Sequence, residues 1–125
     1  MSKKKILIVE DEIEVSERLA GLLKKSLKAD VDKADDGEEA LLDIMENDYA
    51  LVILDIKMPG KSGLDILREI KESGKIPPPV IVVTGHDNDQ VLSEAIELGA
   101  KAYLVKPIIA EDLIKKVKEL LGREK

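Results

Sequence analysis

Five short apolar runs alternate along this chain with five longer segments of helical periodicity, and this alternation restricts the fold more than any other feature. The apolar runs are residues 6–9, 31–34, 51–54, 80–83 and 102–105. Three of them are continuously apolar, as expected for strands that are covered on both faces. Five such β-α units predict a parallel sheet between two layers of helices.

The segments between the runs carry apolar residues three or four positions apart, which predicts helices. These residues are Val15, Leu19, Leu22 and Leu23; Leu41, Ile44 and Met45; Leu64, Leu67 and Ile70; Val91, Ala95 and Leu98; and Leu113, Val117, Leu120 and Leu121. Ser62 is a suitable N-terminal cap for the third helix, and Gly74 and Gly99 suit the ends of the third and fourth. We therefore expect a helix after every strand.

The length of the chain, 125 residues, suits one domain with a single core, predicted to span residues 1–125. Apolar residues make up 44% and charged residues 37%, which is typical of a globular protein. Because Phe, Trp and Cys are absent, the core must consist mainly of aliphatic side chains, and neither a disulfide nor a thiolate metal site can form. The lack of Cys also fits a reducing cytosol.

Charge and hydropathy argue against two classes of partner. The net charge of −6 lacks the basic footprint of a nucleic-acid-binding domain, so we expect no direct contact with DNA or RNA. Lys3, Lys4 and Lys5 precede only four apolar residues before Glu10, which is too short for a signal peptide. As no apolar run approaches the length of a bilayer span, we expect a cytoplasmic protein without membrane contact.

Polar side chains follow four of the five predicted strands at their carboxyl ends, where functional groups gather in open parallel sheets. They are Glu10, Asp11 and Glu12 after the first strand, Asp55 after the third, Thr84 after the fourth, and Lys106 with Pro107 after the fifth. Acids concentrated at one edge are unfavourable unless a cation shares their charge. Together these residues predict a metal-assisted site built around Asp55.

The same residues resemble the receiver domain of two-component response regulators. The motifs that carry the resemblance, in order along the chain, are Glu10-Asp11, Asp55 with Met58-Pro59-Gly60 and Gly63, Thr84-Gly85, and Lys106-Pro107. The resemblance covers essentially the whole chain. It implies a flavodoxin-like doubly wound (βα)5 sandwich whose five parallel strands lie in the order 2-1-3-4-5.

The resemblance also implies a role for each acid at the strand ends. Asp55 is the implied phosphoacceptor, which takes a phosphoryl group from a phosphohistidine. Magnesium or manganese is the implied cofactor, held directly by Asp11, Asp55 and the backbone carbonyl of Lys57, with Glu10 acting mainly through water. Such hard oxygen ligands suit these cations.

The remaining motif residues have implied roles in stabilising and reading the phosphorylated state. By the family pattern Lys106 pairs with one phosphoryl oxygen and Thr84 donates its hydroxyl to another. When Thr84 moves, the switch aromatic Tyr103 moves into the space that Thr84 vacates. This movement alters a face formed by the fourth helix, fifth strand and fifth helix. The family keeps the peptide bond before Pro107 cis to aim the lysine.

Partners follow from the same resemblance. A sensor histidine kinase or phosphotransfer protein is expected upstream, and a downstream protein or effector domain is expected to read the switch. A phosphorylation-dependent homodimer is a further expectation. The protein is then a signalling phosphoacceptor, not an enzyme, and promotes only its own phosphorylation and dephosphorylation. Lys57 and His86 lie where receivers vary and where side chains can influence the acyl-phosphate lifetime; a lone loop histidine is otherwise usually just solvated.

Two other functions are disfavoured. A flavodoxin-like flavin carrier needs a phosphate loop rich in hydroxyl groups and glycine after the first strand, whereas Glu10, Asp11 and Glu12 repel a flavin phosphate. A phosphatase of the haloacid dehalogenase kind needs a second acid two residues after its nucleophile, where this chain has Lys57. Such a phosphatase also carries a substrate-covering cap, for which the chain is too short.

Overall fold

The computed structural model describes residues 4–85 and 89–122, and within these residues five strands alternate with five helices, as predicted. The strands are β1 (Lys5–Val9), β2 (Asp30–Ala34), β3 (Leu51–Asp55), β4 (Val80–Thr84) and β5 (Ala102–Val105). The helices are α1 (Ile13–Leu27), α2 (Gly37–Glu46), α3 (Gly63–Ser73), α4 (Asp89–Glu97) and α5 (Ala110–Gly122). None of the described helices is both long and apolar enough to span a membrane.

The strands form one parallel sheet in the order β2-β1-β3-β4-β5, which confirms the flavodoxin-like arrangement. From β1 the chain passes to β2 on one side, and β3, β4 and β5 are then added on the other side of β1. The direction in which successive strands are added therefore reverses between β1 and β3. That reversal opens a crevice at the carboxyl ends of these two strands.

Side-chain alternation along the strands builds two separate apolar layers. In β1, Ile6 and Ile8 pack with α1 and α5 on one face of the sheet. Leu7 and Val9 point to the other face and pack with α2, α3 and α4. Because both faces are covered, β1, β3 and β4 are almost entirely buried, which explains their continuous apolar sequence.

The ends of α3 agree with the sequence signals. Ser62 caps the helix through a capping box: its hydroxyl accepts a hydrogen bond from the Asp65 N–H, and the Asp65 carboxylate accepts one from the Ser62 N–H. Gly74 ends α3 with a φ of 80°, and Gly99 follows α4 with a φ of 111°, both in the left-handed region. The start of α3, after a loop of seven residues that follows β3, is therefore fixed locally.

Four strands extend one residue beyond the apolar runs that predicted them. β1 begins at Lys5, β2 begins at Asp30, β3 ends at Asp55 and β4 ends at Thr84. The ladder continues because it joins backbone groups whatever the side chain: Asp55 lies opposite Val83. Asp55 is thus held by the rigid sheet itself and is not part of a loop.

Candidate functional site

The crevice between β1 and β3 brings together the acids predicted at the strand ends. Glu10 directly follows β1 and Asp55 ends β3, and only 2% of the surface of each is exposed. Asp11 lies beside them and is partly buried. Carboxylate oxygens of these three residues lie within 4.8 Å of one another. Three acids at this spacing form a strongly negative site at the edge of the sheet.

Each oxygen of the Asp55 carboxylate accepts a hydrogen bond. The Lys57 backbone N–H donates to Oδ1 over 3.1 Å, and the Lys106 ammonium donates to Oδ2 over 2.9 Å. The first bond comes from the loop that follows β3 and the second from the end of β5. The carboxylate is therefore oriented from two sides by groups that stabilise its charged form.

The neighbours of Lys57 explain why its amide is held in place. Ile56 and Met58 are buried in the layer formed with α2, α3 and α4, whereas the side chain of Lys57 between them is exposed. The backbone at this point is thus anchored on both sides of Lys57. Its N–H faces Asp55 while its ammonium group extends into solvent.

Glu10, like Asp55, contacts a backbone N–H and the Lys106 ammonium, but its burial disfavours the charged form of its carboxylate. Its Oε2 accepts a hydrogen bond from the Glu12 N–H over 3.1 Å, and its Oε1 lies 3.4 Å from Lys106 Nζ. Burial, together with the nearby charge of Asp55, raises the pKa of Glu10 to about 7, although the Glu12 amide and Lys106 act in the opposite direction. Lys106 and the Glu12 amide therefore do not fully offset the cost of burying this carboxylate.

Lys106 is the positive counterpart of this cluster. Burial disfavours its ammonium form, but the hydrogen bond and charge of Asp55, assisted by Glu10, outweigh burial and raise the pKa of Lys106 above its usual range. The peptide bond from Lys106 to Pro107 is cis. The Lys106 N–H also donates to the Thr84 carbonyl over 2.8 Å, which fixes the ends of β4 and β5 together.

The donor set fits a hard divalent cation. Glu10, Asp11 and Asp55 offer carboxylate oxygens, the ligands that Mg²⁺ and Mn²⁺ prefer, and Lys106 forms ion pairs with Glu10 and Asp55. Asp35, Asp36 and Glu39 form a second acidic group. That group is exposed, and Asp36 and Glu39 there accept backbone N–H bonds at the start of α2, so helix capping explains it.

The predicted switch residues lie beside the site and on the neighbouring surface. Thr84, partly buried, ends β4 next to Lys106. Tyr103 lies in β5 opposite Val82, and 44% of its surface is exposed. The structure thus places Glu10, Asp11, Asp55, Thr84 and Lys106 along one edge, while their roles and that of Tyr103 stay predictions. His86 lies outside the described residues.

Sequence reasoning missed two cationic residues near the site. Lys61, in the loop before α3, forms ion pairs with Glu38 and Glu69. Arg18 of α1 donates to the Ile108 carbonyl over 3.0 Å, which holds α1 against the segment after Lys106. Local spacing signals neither the Lys61–Glu38 pair nor the Arg18–Ile108 contact, since each of these two joins elements that are distant in sequence.

Comparison with known proteins identifies the arrangement. The chain matches the family model described as response regulator receiver domain over residues 6–118. It is 40% identical over 119 residues to the transcriptional regulatory protein CpxR homolog of Haemophilus influenzae, covering 95% of this chain and 51% of that protein. It is 41% identical over 120 residues to the probable transcriptional regulatory protein SilR of Salmonella typhimurium, with the same coverages of 95% and 51%. The chain spans about half the length of these curated relatives.

Solved structures agree. A CheY-like response regulator receiver domain protein from Methanospirillum hungatei superposes with a TM-score of 0.90 at 30% identity, covering 98% of this chain and 96% of that one. The chemotaxis protein CheY4 of Vibrio cholerae superposes with a TM-score of 0.86 at 26% identity, covering 95% and 99%. Similarity therefore extends over nearly the full length of both of these structures.

Proposed function

This chain belongs to the response regulator receiver domain family, and from that premise we propose that it accepts a phosphoryl group from a sensor histidine kinase or phosphotransfer protein onto Asp55 in a magnesium-dependent reaction. Residues 1–125 then act as one receiver domain. The proposal makes the protein a signalling phosphoacceptor that promotes only its own phosphorylation and dephosphorylation. We expect it to work in the cytoplasm.

The observation that carries this proposal is the environment of the Asp55 carboxylate. It is buried at the end of a rigid strand, it is oriented by the Lys57 amide and the Lys106 ammonium, and two further acids lie beside it. A fixed, charged carboxylate is a competent nucleophile toward phosphorus once the repulsion from the phosphoryl oxygens is reduced. Lys106 already supplies part of that compensation.

The acids around Asp55 are suited to hold the cation. We propose that Asp11, Asp55 and the backbone carbonyl of Lys57 bind Mg²⁺ or Mn²⁺ directly and that Glu10 contributes mainly through water. A bound divalent cation supplies charge neutralisation between the acceptor and phosphoryl oxygens and favours in-line geometry. The burial of Glu10 and Asp55 excludes competing solvent from the inner side of this site.

In the transfer step an oxygen of Asp55 forms a bond to phosphorus while the bond from phosphorus to the donor histidine nitrogen breaks. The Asp55 carboxylate becomes an acyl phosphate, and its former ion-pair partner Lys106 then pairs with a phosphoryl oxygen. We propose that the Thr84 hydroxyl donates to another phosphoryl oxygen. Thr84 ends β4, the strand beside β3, and Lys106 directly follows β5, the strand beside β4.

The output is proposed to lie on the face formed by α4, β5 and α5. Phosphorylation adds close to two negative charges and three acceptor oxygens, which attract Thr84. Tyr103, which is exposed in this structure, moves into the space that Thr84 vacates and changes this face. The altered face controls a partner protein or effector domain, or forms a phosphorylation-dependent homodimer. We propose no direct nucleic-acid contact and no membrane contact for residues 1–125.

Incubation with acetyl phosphate and Mg²⁺, followed by intact-mass measurement, tests the acceptor role. We expect a mass increase of one phosphoryl group that is stable in acid and labile in base. Asp55→Asn and removal of the cation by a chelator should each abolish it. Asp30→Asn is a matched control, because Asp30 is exposed at the opposite end of the sheet, and this variant should be phosphorylated normally.

Two results would contradict the proposal. A phosphoryl adduct that survives in Asp55→Asn would assign the acceptor to another residue. Multiple turnover of a phosphoester, without accumulation of an adduct on the protein, would indicate a phosphatase instead of a receiver.

A further inference from the structure

Lys61 joins the loop that follows Asp55 to two helices. We call residues 56–62 the β3–α3 loop. Lys61 Nζ lies 3.6 Å from Glu38 Oε1 in the first turn of α2 and donates a hydrogen bond to Glu69 Oε2 of α3. Only 18% of its side chain is exposed. One ammonium group therefore links the loop to α2 and α3.

The backbone of Lys61 is also pressed against α2. A Cβ atom built on Gly37, the first residue of α2, would lie 2.7 Å from the Cβ atom of Lys61, closer than real Cβ contacts allow. Glycine at this position lets the loop lie directly on the helix end. At Lys61 the loop therefore lies against the start of α2, and the side chain of Lys61 forms ion pairs with both helices.

The two ends of the β3–α3 loop are closed by hydrogen bonds. The Gly63 N–H donates to the Ile56 carbonyl over 3.0 Å, and the capping box of Ser62 and Asp65 fixes the chain directly after Lys61. Between these points lies Lys57, whose N–H orients Asp55. Lys57 and Lys61 thus lie on the same short, closed loop, which connects the position of Lys61 to that of the Lys57 peptide.

We propose that Lys61 is a positioning residue for the cation site: by holding the β3–α3 loop against α2 and α3, it keeps the backbone carbonyl of Lys57 in place beside Asp55. This inference rests on the proposed function, which assigns that carbonyl to the cation. Binding to a site whose ligands are already in place avoids the entropic cost of ordering them. Without Lys61, Ile56 and Met58 still anchor the Lys57 peptide, but the rest of the loop loses its ion pairs with α2 and α3. The carbonyl is then held less firmly, and affinity falls.

Titration with Mn²⁺, with the free ion measured by electron paramagnetic resonance, tests this role on the whole chain. We expect Lys61→Met to weaken Mn²⁺ binding by about tenfold, the scale known for residues that orient metal ligands. Lys61→Arg, which keeps the positive charge, should recover most of the loss. The Mg²⁺ concentration that gives half-maximal phosphorylation by acetyl phosphate should rise by the same factor in Lys61→Met.

Lys5→Met is the matched control. Lys5 forms a comparable ion pair with Asp32, 3.3 Å long, but it lies at the amino end of β1, on the opposite edge of the sheet. Thermal unfolding without metal should show that both Met variants are folded. Lys5→Met should bind Mn²⁺ as the unaltered protein does.

Three outcomes would overturn the proposal. Equal Mn²⁺ affinity of Lys61→Met and the unaltered protein would show that the loop keeps its position without Lys61. Equal weakening in Lys5→Met would show a general loss of stability instead of a local effect. If the unaltered protein itself neither bound Mn²⁺ nor became phosphorylated, the proposed function would fail, and the role of Lys61 with it.

Discussion

The ammonium group of Lys106 lies 2.9 Å from Asp55 Oδ2, and this pair joins the end of β5 to the end of β3 across the intervening β4. Lys106 Nζ also lies 3.4 Å from Glu10 Oε1. It is therefore the shared partner of two acids that are nearly inaccessible to solvent. Its removal leaves these two buried acids without a positively charged partner, which is costly.

Lys106→Met should consequently lower the free energy of unfolding of the metal-free protein by about 1–3 kcal/mol, since unpaired buried charges replace a charge-assisted hydrogen bond. A divalent cation can replace the missing charge, so Mg²⁺ should stabilise this variant more than the unaltered protein. Urea unfolding with and without Mg²⁺ measures both effects. Lys101→Met, at an exposed lysine before β5, is the control. Equal stabilisation of Lys106→Met and the unaltered protein by Mg²⁺ would contradict the prediction.

Thr84→Ala should separate phosphorylation from its consequence. Asp55 keeps its orienting contacts with Lys57 and Lys106 in this variant, so acetyl phosphate should still modify it. The hydroxyl that is proposed to follow the phosphoryl group is gone, and the change on the face of α4, β5 and α5 should weaken. Hydrogen exchange of that face, compared with and without acetyl phosphate, measures the change. Thr84→Ser should retain it, and full retention in Thr84→Ala would refute the switch role.

The strand-end residues could be predicted because their positions follow from backbone regularity. In a parallel sheet all carboxyl ends meet at one edge, so Glu10, Asp55 and Lys106 had to lie near one another once their strands were recognised. Alternation likewise accounts for β5, where Leu104 is buried and its neighbour Tyr103 is exposed. The resemblance to receivers then supplied the roles.

The contacts of Lys61 and Lys75 could not be predicted in this way. Lys61 contacts Glu38, and Lys75 reaches Ile44, so each joins separate elements. Such contacts depend on the path of a loop and on the reach of a long flexible side chain, neither of which has a periodic signature. Polar residues of this kind look like ordinary solvated surface in the sequence.

Lys75 forms a cap for α2 from another part of the chain. Its ammonium group donates to the carbonyls of Ile44 over 2.6 Å, Met45 over 3.3 Å and Asn47 over 3.2 Å. The last carbonyls of a helix have no partners within the helix, and a positive charge there also interacts favourably with the helix dipole.

Lys75→Met should therefore lower the free energy of unfolding by about 1 kcal/mol. Urea unfolding measures this loss, and hydrogen exchange should show greater fraying at the end of α2. Lys71→Met, at an exposed position in the last turn of α3, is the control and should change stability less. Identical stabilities of the two variants would show that the three hydrogen bonds contribute nothing.

Tyr49 gives a pH-dependent prediction at the opposite end of the sheet from the acidic cluster around Asp55. Its hydroxyl donates to Asp32 Oδ2 over 2.7 Å, and only 7% of the residue is exposed. Burial and the neighbouring Asp32 raise the pKa of Tyr49 well above the ordinary value of about 10. The folded protein thus keeps this proton at a pH where the unfolded chain has lost it.

Because the folded-state pKa is raised, the stability linked to Tyr49 is fully present below about pH 10 and is lost as the pH rises further. The free energy of unfolding should fall with pH in this range more steeply in the unaltered protein than in Tyr49→Phe. Lysines titrate in the same range, but they are common to both proteins, so the difference between the two slopes isolates the tyrosine. Urea unfolding between pH 8 and about pH 11 measures both slopes. Parallel slopes would mean that the Tyr49 hydroxyl loses its proton equally easily in the folded and unfolded states, contrary to its buried contact with Asp32.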